Sequence, residues 1–142
     1  MKNILIATDG SAGAAAAVSA GLDLVRDGDG TATVVYVREG IGPLGDPFYQ
    51  RKLTEQMHEA EAVLERARAQ AREAGVPVET EILEGDAPEA LVELARSRGA
   101  DVIVIGSRGL GTVKGTLLGS VSSAVVHRAD RPVLVVKEPG GA

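Results

Sequence analysis

The sequence predicts an α/β domain in which an open, parallel, five-stranded sheet is covered by helices on both faces. Short runs of β-branched and aliphatic residues alternate with longer segments of helical periodicity, and glycines, prolines and aspartates separate the two. Strands that alternate with helices in this way form parallel sheets with right-handed crossovers. The 142 residues fit a single domain, residues 1–142, with a flexible tail at 137–142.

The first half of the chain is predicted to contain two strands and two helices. Residues 3–8 form the first strand, and Ser11 caps the helix that follows the Asp9-Gly10 turn. The second strand covers residues 31–37, and a Gly- and Pro-rich loop at 39–48 precedes a long helix that ends at Gly75. Apolar residues at helical spacing mark the buried faces: Ala15, Val18, Leu22 and Val25 in the first helix, and Leu53, Met57, Ala60, Leu64, Ala67 and Ala71 in the second.

The second half continues the alternation. The third strand covers residues 76–83, with Pro77 at its start, where a strand tolerates proline. Asp86 begins a capping box for the third helix, whose apolar face is Ala90, Leu91, Leu94 and Ala95. Residues 101–105 form a buried fourth strand, and residues 132–136 form the fifth.

A glycine-rich loop between the fourth strand and the fourth helix, residues 106–122, is suited to binding phosphate. Glycines let the backbone approach an anion closely, and loop N–H groups can donate to phosphate oxygens. A helix start adds further N–H donors and a partial positive charge, and Ser120 and Ser122 add hydroxyls there. The alternative is a glycine-rich connector that binds no ligand.

The spacing within this loop distinguishes it from other phosphate-binding motifs. It lacks the Gly-Lys-Ser/Thr ending of a Walker A loop and the third glycine of a dinucleotide fingerprint. Its pattern is instead Gly106-x-x-Gly109, nine residues, then Gly119-Ser120. This pattern resembles that of the nucleotide-binding branch of the universal stress protein family, and the resemblance extends from the first strand through Val136. It implies the strand order 3-2-1-4-5 of the adenine nucleotide alpha hydrolase-like fold.

The residues at the carboxyl ends of the strands supply the other site candidates. Asp9 could accept hydrogen bonds from ribose hydroxyls or hold a metal-bound water, or it could only form the Asp-Gly turn. Arg108 and Lys114 could offset phosphate charge or could simply be solvated. The resemblance implies that Asp9 meets the ribose and that the main chain of Val37 meets adenine. The complete predicted site is Ala7, Thr8, Asp9, Val37, Ile105, Gly106, Arg108, Gly109, Gly119, Ser120, Val121 and Ser122.

The resemblance implies an ATP-binding regulatory protein of the stress response, with Mg²⁺ or Mn²⁺ accompanying the nucleotide. Two alternatives stay open: a slow ATPase, and a dimeric interaction protein without a physiological nucleotide. The sequence contains no recognisable activated nucleophile or general base, so fast ATP turnover is not predicted. His58 and His127 belong to different helices, with no carboxylate at ligand spacing, so a metal pair is not predicted either.

Composition argues against several other classes of protein. The net charge of −5 and the scarcity of aromatic residues disfavour a nucleic-acid partner. The absence of cysteine rules out disulfides and thiolate metal sites and fits a cytoplasmic protein. The N-terminal apolar run is too short for a signal peptide or a membrane span.

The fifth strand predicts a homodimer. Residues Pro132, Val133, Leu134, Val135 and Val136 are apolar on both faces, yet the implied strand order puts them at an edge of the sheet. Exposed edges of this kind pair with another chain, and dimers formed in this way are also what the resemblance implies. The sequence does not identify a downstream protein partner.

Overall fold

A computed structural model describes residues 2–108 and 118–138. Within them, parallel strands alternate with helices in the predicted order. The strands are β1 (Asn3–Ala7), β2 (Thr31–Arg38), β3 (Val78–Glu84), β4 (Val102–Gly106) and β5 (Val133–Val136). The helices are α1 (Ala12–Gly28), α2 (Tyr49–Ala74), α3 (Ala87–Arg98) and α4 (Ser120–Arg128).

The strands form one open sheet in the order β3-β2-β1-β4-β5, and every neighbouring pair is parallel. The central strand β1 pairs on one side with β2, where Ile6 lies opposite Val34, and on the other with β4, where Ile6 lies opposite Val104. The predicted fold class and strand order are therefore confirmed. The chain leaves β1 on one side and later returns on the other, so the strand order reverses between β1 and β4.

Two apolar layers, one on each face of the sheet, hold the helices. Alternate residues of a strand point to opposite faces, so Ile4 and Ile6 belong to one layer and Leu5 and Ala7 to the other. The first layer also contains the buried faces of α1 and α2, and the second contains those of α3 and α4. Because β1 and β4 are covered on both faces, their sequences are continuous apolar runs without polar alternation.

Several helix ends have the predicted caps. The Ser11 hydroxyl oxygen accepts a hydrogen bond from the Ala14 N–H, and the Asp86 carboxylate accepts one from the Glu89 N–H. Gly75 ends α2 in the left-handed conformation, and the Val76 N–H donates to the Ala71 carbonyl. Because Val76 completes this helix end, β3 begins two residues later than predicted, at Val78.

Two predicted core positions are wrong. Ala15 is exposed, because the buried face of α1 is carried by Ala14, Ala17 and Val18. Met57, expected to fill the core, is 36% exposed. The fully buried positions of α2 begin only at Ala60, so the first turns of this helix lie at the periphery of the core.

Some predictions lie outside the described residues, among them Gly109, Lys114 and most of the proposed tail at 137–142. In the part of the chain that the structure describes, no helix is both long and apolar enough to cross a membrane.

Candidate functional site

A cleft of about 480 Å³ lies beyond the carboxyl ends of β1, β2 and β4, at the point where the strand order reverses. Ligands of open α/β sheets bind at this position, because the helices on either side of it turn away to opposite faces. The volume is in the range of small-molecule sites, about 300–1,000 Å³. The strand ends, the start of α3 and the start of α4 together form the walls.

Every predicted site residue that the structure describes lines this cleft. Ala7, Thr8 and Asp9 extend from β1, and Val37 lies in β2. The others lie at the end of β4 or the start of α4: Ile105, Gly106, Arg108, Gly119, Ser120, Val121 and Ser122. The tertiary structure thus brings together residues separated by more than a hundred positions in the chain. Gly109, the remaining predicted residue, lies outside the described ranges.

The turn after β1 is held by local hydrogen bonds. The Thr8 N–H donates to the Val35 carbonyl at 2.9 Å, which continues the pairing with β2. The Thr8 hydroxyl oxygen accepts from the Gly10 N–H at 3.3 Å, and the Asp9 carboxylate accepts from the Ser11 N–H at 2.9 Å. Asp9 therefore helps to form the Asp-Gly turn, which was one of the alternatives predicted for it. Asp9 also lies on the wall of the cleft.

Three helices begin at the cleft, and they differ in how their first N–H groups are bonded. In α1 and α3, the side chains of Ser11 and Asp86 accept hydrogen bonds from the first turn. The N-cap of α4 is Gly119, which has no side chain to accept such a bond. The start of α4 is thus the one among the three without its own side-chain cap, and an anion there would meet N–H groups and a favourable helix dipole.

The first intrahelical bond of α4 joins the Ser123 N–H to the Gly119 carbonyl at 2.9 Å. The N–H groups of Ser120, Val121 and Ser122 precede this bond, so the helix itself supplies no carbonyl for them. All three residues line the cleft. Backbone donors at the start of α4 are therefore available by position to a ligand.

The Ser122 hydroxyl has a structural role that the sequence analysis did not predict. Ser122 is buried, and its hydroxyl donates to the Ser107 carbonyl at 2.8 Å, with the Gly119 carbonyl at 3.2 Å. The Gly119 N–H also donates to the Ser107 carbonyl. These bonds join the two ends of the glycine-rich loop. The single hydroxyl proton of Ser122 is therefore engaged within the protein, whereas Ser120 is exposed.

Charged residues of both signs line the cleft. Among the described lining residues, Asp9, Glu39 and Asp86 carry carboxylates, and Arg108 carries a guanidinium. Asp86 lies 3.4 Å from a guanidinium nitrogen of Arg128. Burial raises the pKa of the Tyr36 phenol, and the negative charges of Glu59, Asp9 and Glu39 raise it further.

The sequence analysis missed part of the lining. Val35 and Glu39 lie two residues on either side of Val37, so the alternation of side chains along β2 could have identified them. The turn before α3 also contributes a set of residues: Gly85, Asp86, Ala87, Pro88 and Leu91. Asp86 was recognised only as a helix cap, because its place beside β2 and β4 depends on how α3 packs on the sheet.

Comparison with known proteins identifies the family. Residues 1–137 match the model of the universal stress protein family. The chain belongs to this family. A universal stress protein of Methanocaldococcus jannaschii is 35% identical to this chain, and the alignment covers 97% of this chain and 83% of the relative. A universal stress protein of Thermus aquaticus is 39% identical, and the alignment covers 96% of this chain and 98% of the relative. The resemblance noted from the loop spacing is thus confirmed for the family.

Solved universal stress protein structures share the fold. The protein from Lactobacillus plantarum superposes with a TM-score of 0.83 at 26% identity, covering 95% of this chain and 97% of its own. A universal stress protein in complex with cAMP superposes with a TM-score of 0.76 at 27% identity, covering 96% of this chain and 97% of its own. The universal stress protein from Archaeoglobus fulgidus in complex with dAMP superposes with a TM-score of 0.74 at 25% identity, covering 96% of this chain and 98% of its own.

The donor set of this universal stress protein fits the chemistry of a nucleotide. The α4 start offers main-chain donors, Arg108 a positive charge and Asp9 a carboxylate acceptor, all on the wall of one cleft. Within residues 2–108 and 118–138, no cluster of three or more histidine or carboxylate side chains is arranged to hold a metal ion.

Proposed function

We propose that this universal stress protein is an ATP-binding regulatory protein whose partner surface responds to nucleotide occupancy. The observation that carries the proposal is the start of α4, which lacks a side-chain cap and lines the same cleft as Asp9. The relatives in complex with cAMP and dAMP support an adenine nucleotide as the ligand. The absence of cysteine fits action in a reducing cytoplasm.

Each part of ATP has a proposed partner. The phosphates lie at the N–H groups of Ser120, Val121 and Ser122 and near Arg108, because a helix start and a guanidinium both favour negative charge. Asp9 accepts from the ribose hydroxyls, and the main chain of Val37 meets adenine. The remaining proposed contacts are Ala7, Thr8, Ile105, Gly106, Gly109 and Gly119. Mg²⁺ or Mn²⁺ binds through the phosphate oxygens, near Asp9.

A regulatory role is favoured over hydrolysis by the chemistry of the lining. No histidine lies among the described residues of the cleft, and the Asp86 carboxylate is engaged by the Glu89 N–H and Arg128. The Glu39 carboxylate lies two residues beyond Val37, on the proposed adenine side of the site. Asp9 accepts the Ser11 N–H at the turn. Efficient attack of water on a phosphate needs a positioned base, which contributes about 10²–10⁴ in rate.

Mass spectrometry of the nucleotide that co-purifies with the protein tests the identity of the ligand. The protein is purified without added nucleotide, denatured in acid, and the supernatant is analysed and quantified against the protein. We expect ATP as the main species. AMP or a cyclic nucleotide as the main species would contradict the choice of ATP. If no adenine nucleotide co-purifies and calorimetry detects no ATP binding, the proposed nucleotide site is contradicted.

We also propose that β5 forms a homodimer with the β5 of a second copy. Within the described sheet β5 is an edge strand, and Leu134 is 37% exposed on it. The Pro132 carbonyl accepts from the N–H of Ile103 in β4, and the Val136 carbonyl accepts from the N–H of Ser107, the residue after β4. Main-chain groups alternate in direction along a strand, so those of Val133 and Val135 point to the free edge.

Val135→Pro is expected to convert the dimer to a monomer. Proline removes the outward N–H of residue 135 while leaving the bonds to β4, and edge strands tolerate it. Light scattering at micromolar concentration measures the change in mass. The control is Val133→Thr, which keeps the N–H and a β-branched side chain. A parent protein that is monomeric under these conditions would contradict the proposed dimer.

A further inference from the structure

Two glycines form a backbone contact between the first turn of α1 and the end of β4. A methyl group built on Gly106 would lie 2.9 Å from the carbonyl carbon and oxygen of Gly13 and 3.3 Å from the Ala14 nitrogen. Carbon atoms in van der Waals contact lie about 3.5–4.0 Å apart, so only glycine allows the two segments to approach this closely. Helix α1 thus lies directly on the strand from which the glycine-rich loop departs.

The same glycine of α1 also contacts the start of the loop. A methyl group on Gly13 would lie 2.6 Å from the Arg108 carbonyl oxygen. This oxygen belongs to the main chain, so relief of the clash requires a movement of the backbone rather than the rotation of a side chain. Arg108 is the last loop residue in the first described range, and both Gly106 and Arg108 line the cleft.

We propose that Gly13 is a positioning residue for phosphate binding, an inference that rests on the proposed nucleotide function. Gly13 does not line the cleft, so it acts through the backbone of Arg108 and Gly106. Its neighbour Ser11 does line the cleft, and Ser11 donates its N–H to Asp9. The first turn of α1 therefore sets the distance between the proposed ribose side of the site, at Asp9, and the proposed phosphate side, at Arg108.

The test compares two alanine substitutions in the same helix. Gly13→Ala places a methyl group against the Arg108 main chain, whereas Gly21→Ala places one against the Ile6 side chain in the core. Both glycines are buried in α1. Calorimetry measures the affinity of each variant and of the parent for ATP and for adenosine, which lacks the phosphates. Thermal unfolding measures the stability of all three proteins.

Gly13→Ala is expected to lower the affinity for ATP by about tenfold, which corresponds to the loss of one charge-assisted hydrogen bond. The affinity for adenosine is expected to change by less than about twofold. A purely structural role would lower both affinities together. Gly21→Ala should retain the parent ratio of the two affinities, whatever stability it loses. If adenosine binding is too weak to measure, ATP affinity in Gly13→Ala is compared with that in Gly21→Ala.

Two results would overturn the inference. The first is that Gly13→Ala binds ATP as tightly as the parent or as Gly21→Ala. The second is that Gly13→Ala loses affinity for ATP and for adenosine by the same factor. If Gly13→Ala fails to fold, Gly106→Ala is measured in its place: its methyl group would meet the Gly13 carbonyl and displace α1 from β4, and an unchanged ratio of ATP to adenosine affinity would overturn the inference. A parent protein that binds neither ATP nor adenosine would instead contradict the proposed function, so the two failures are distinguishable.

Discussion

Gly119→Val is expected to abolish ATP binding, with a loss of at least about a hundredfold in affinity, while unfolding remains cooperative. Gly119 is the buried N-cap of α4, and it lies on the wall of the cleft. A valine side chain there would occupy space that a phosphate needs in order to reach the N–H groups of the next residues. Two lost charge-assisted bonds at about 1.5 kcal/mol each account for this factor.

The backbone at this position explains why the fold should survive. Gly119 has φ −71° and ψ 169°, an extended conformation that valine adopts readily. The expected requirement for glycine at position 119 is therefore one of space and not of backbone conformation. The N–H that Gly119 donates to the Ser107 carbonyl is also kept in valine.

Gly45→Val is the matched control for this experiment. Gly45 is exposed, and a methyl group built on it meets no atom within 4 Å. Isothermal titration calorimetry with ATP and urea unfolding are performed on both variants. Unchanged ATP affinity in Gly119→Val would show that the phosphates do not lie at the start of α4.

ATP at a hundredfold excess over its dissociation constant is expected to stabilise the protein by about 2.7 kcal/mol, which raises Tm by roughly 5–10 °C. Phosphate release under the same conditions is expected to stay well below about one per second, the slow end of ordinary enzymes. The reason is that the proposed donors of the cleft bind the ground state of ATP. Binding the ground state and the transition state equally leaves the activation barrier to hydrolysis unchanged.

Asp9→Ala is expected to reduce this thermal shift, because Asp9 is the proposed acceptor for the ribose hydroxyls and supports the turn through Ser11. Asp27→Ala is the control, since it removes the same charge from an exposed position at the other end of α1. The shift is measured as Tm against ATP concentration in each protein. Phosphate release of about one per second or faster in the parent, lost in Asp9→Ala, would identify an enzyme instead.

The fold could be predicted because the information is local and repeated. The apolar runs of β1 and β4 are continuous, as strands covered on both faces must be, and turn residues mark where each element ends. The cap formed by Ser11 depends on three neighbouring residues, which the sequence displays directly. Prediction failed where the local pattern was ambiguous. Ala15 belongs to an alanine-rich turn in which several faces are equally apolar.

The sequence by itself identified the candidate residues of the cleft and the approximate ends of the strands. It identified the spacing of Gly106, Gly119 and Ser120, and it identified Asp9 at the end of β1, because these signals lie in short contiguous segments. Since parallel strands end at the same edge of a sheet, residues at strand ends converge once the strand order is known. The order itself came from the family resemblance, and the structure confirmed it.

Only the tertiary structure decided how the residues of the cleft are arranged. It engages the Ser122 hydroxyl with the Ser107 carbonyl, brings Asp86 into the cleft and seats Gly13 against the Arg108 main chain. Each of these contacts joins segments that are distant in sequence, and its geometry depends on how a helix packs on the sheet. A hydrogen bond or a close approach is decided within tenths of an ångström, whereas residue patterns specify only which face of an element is buried.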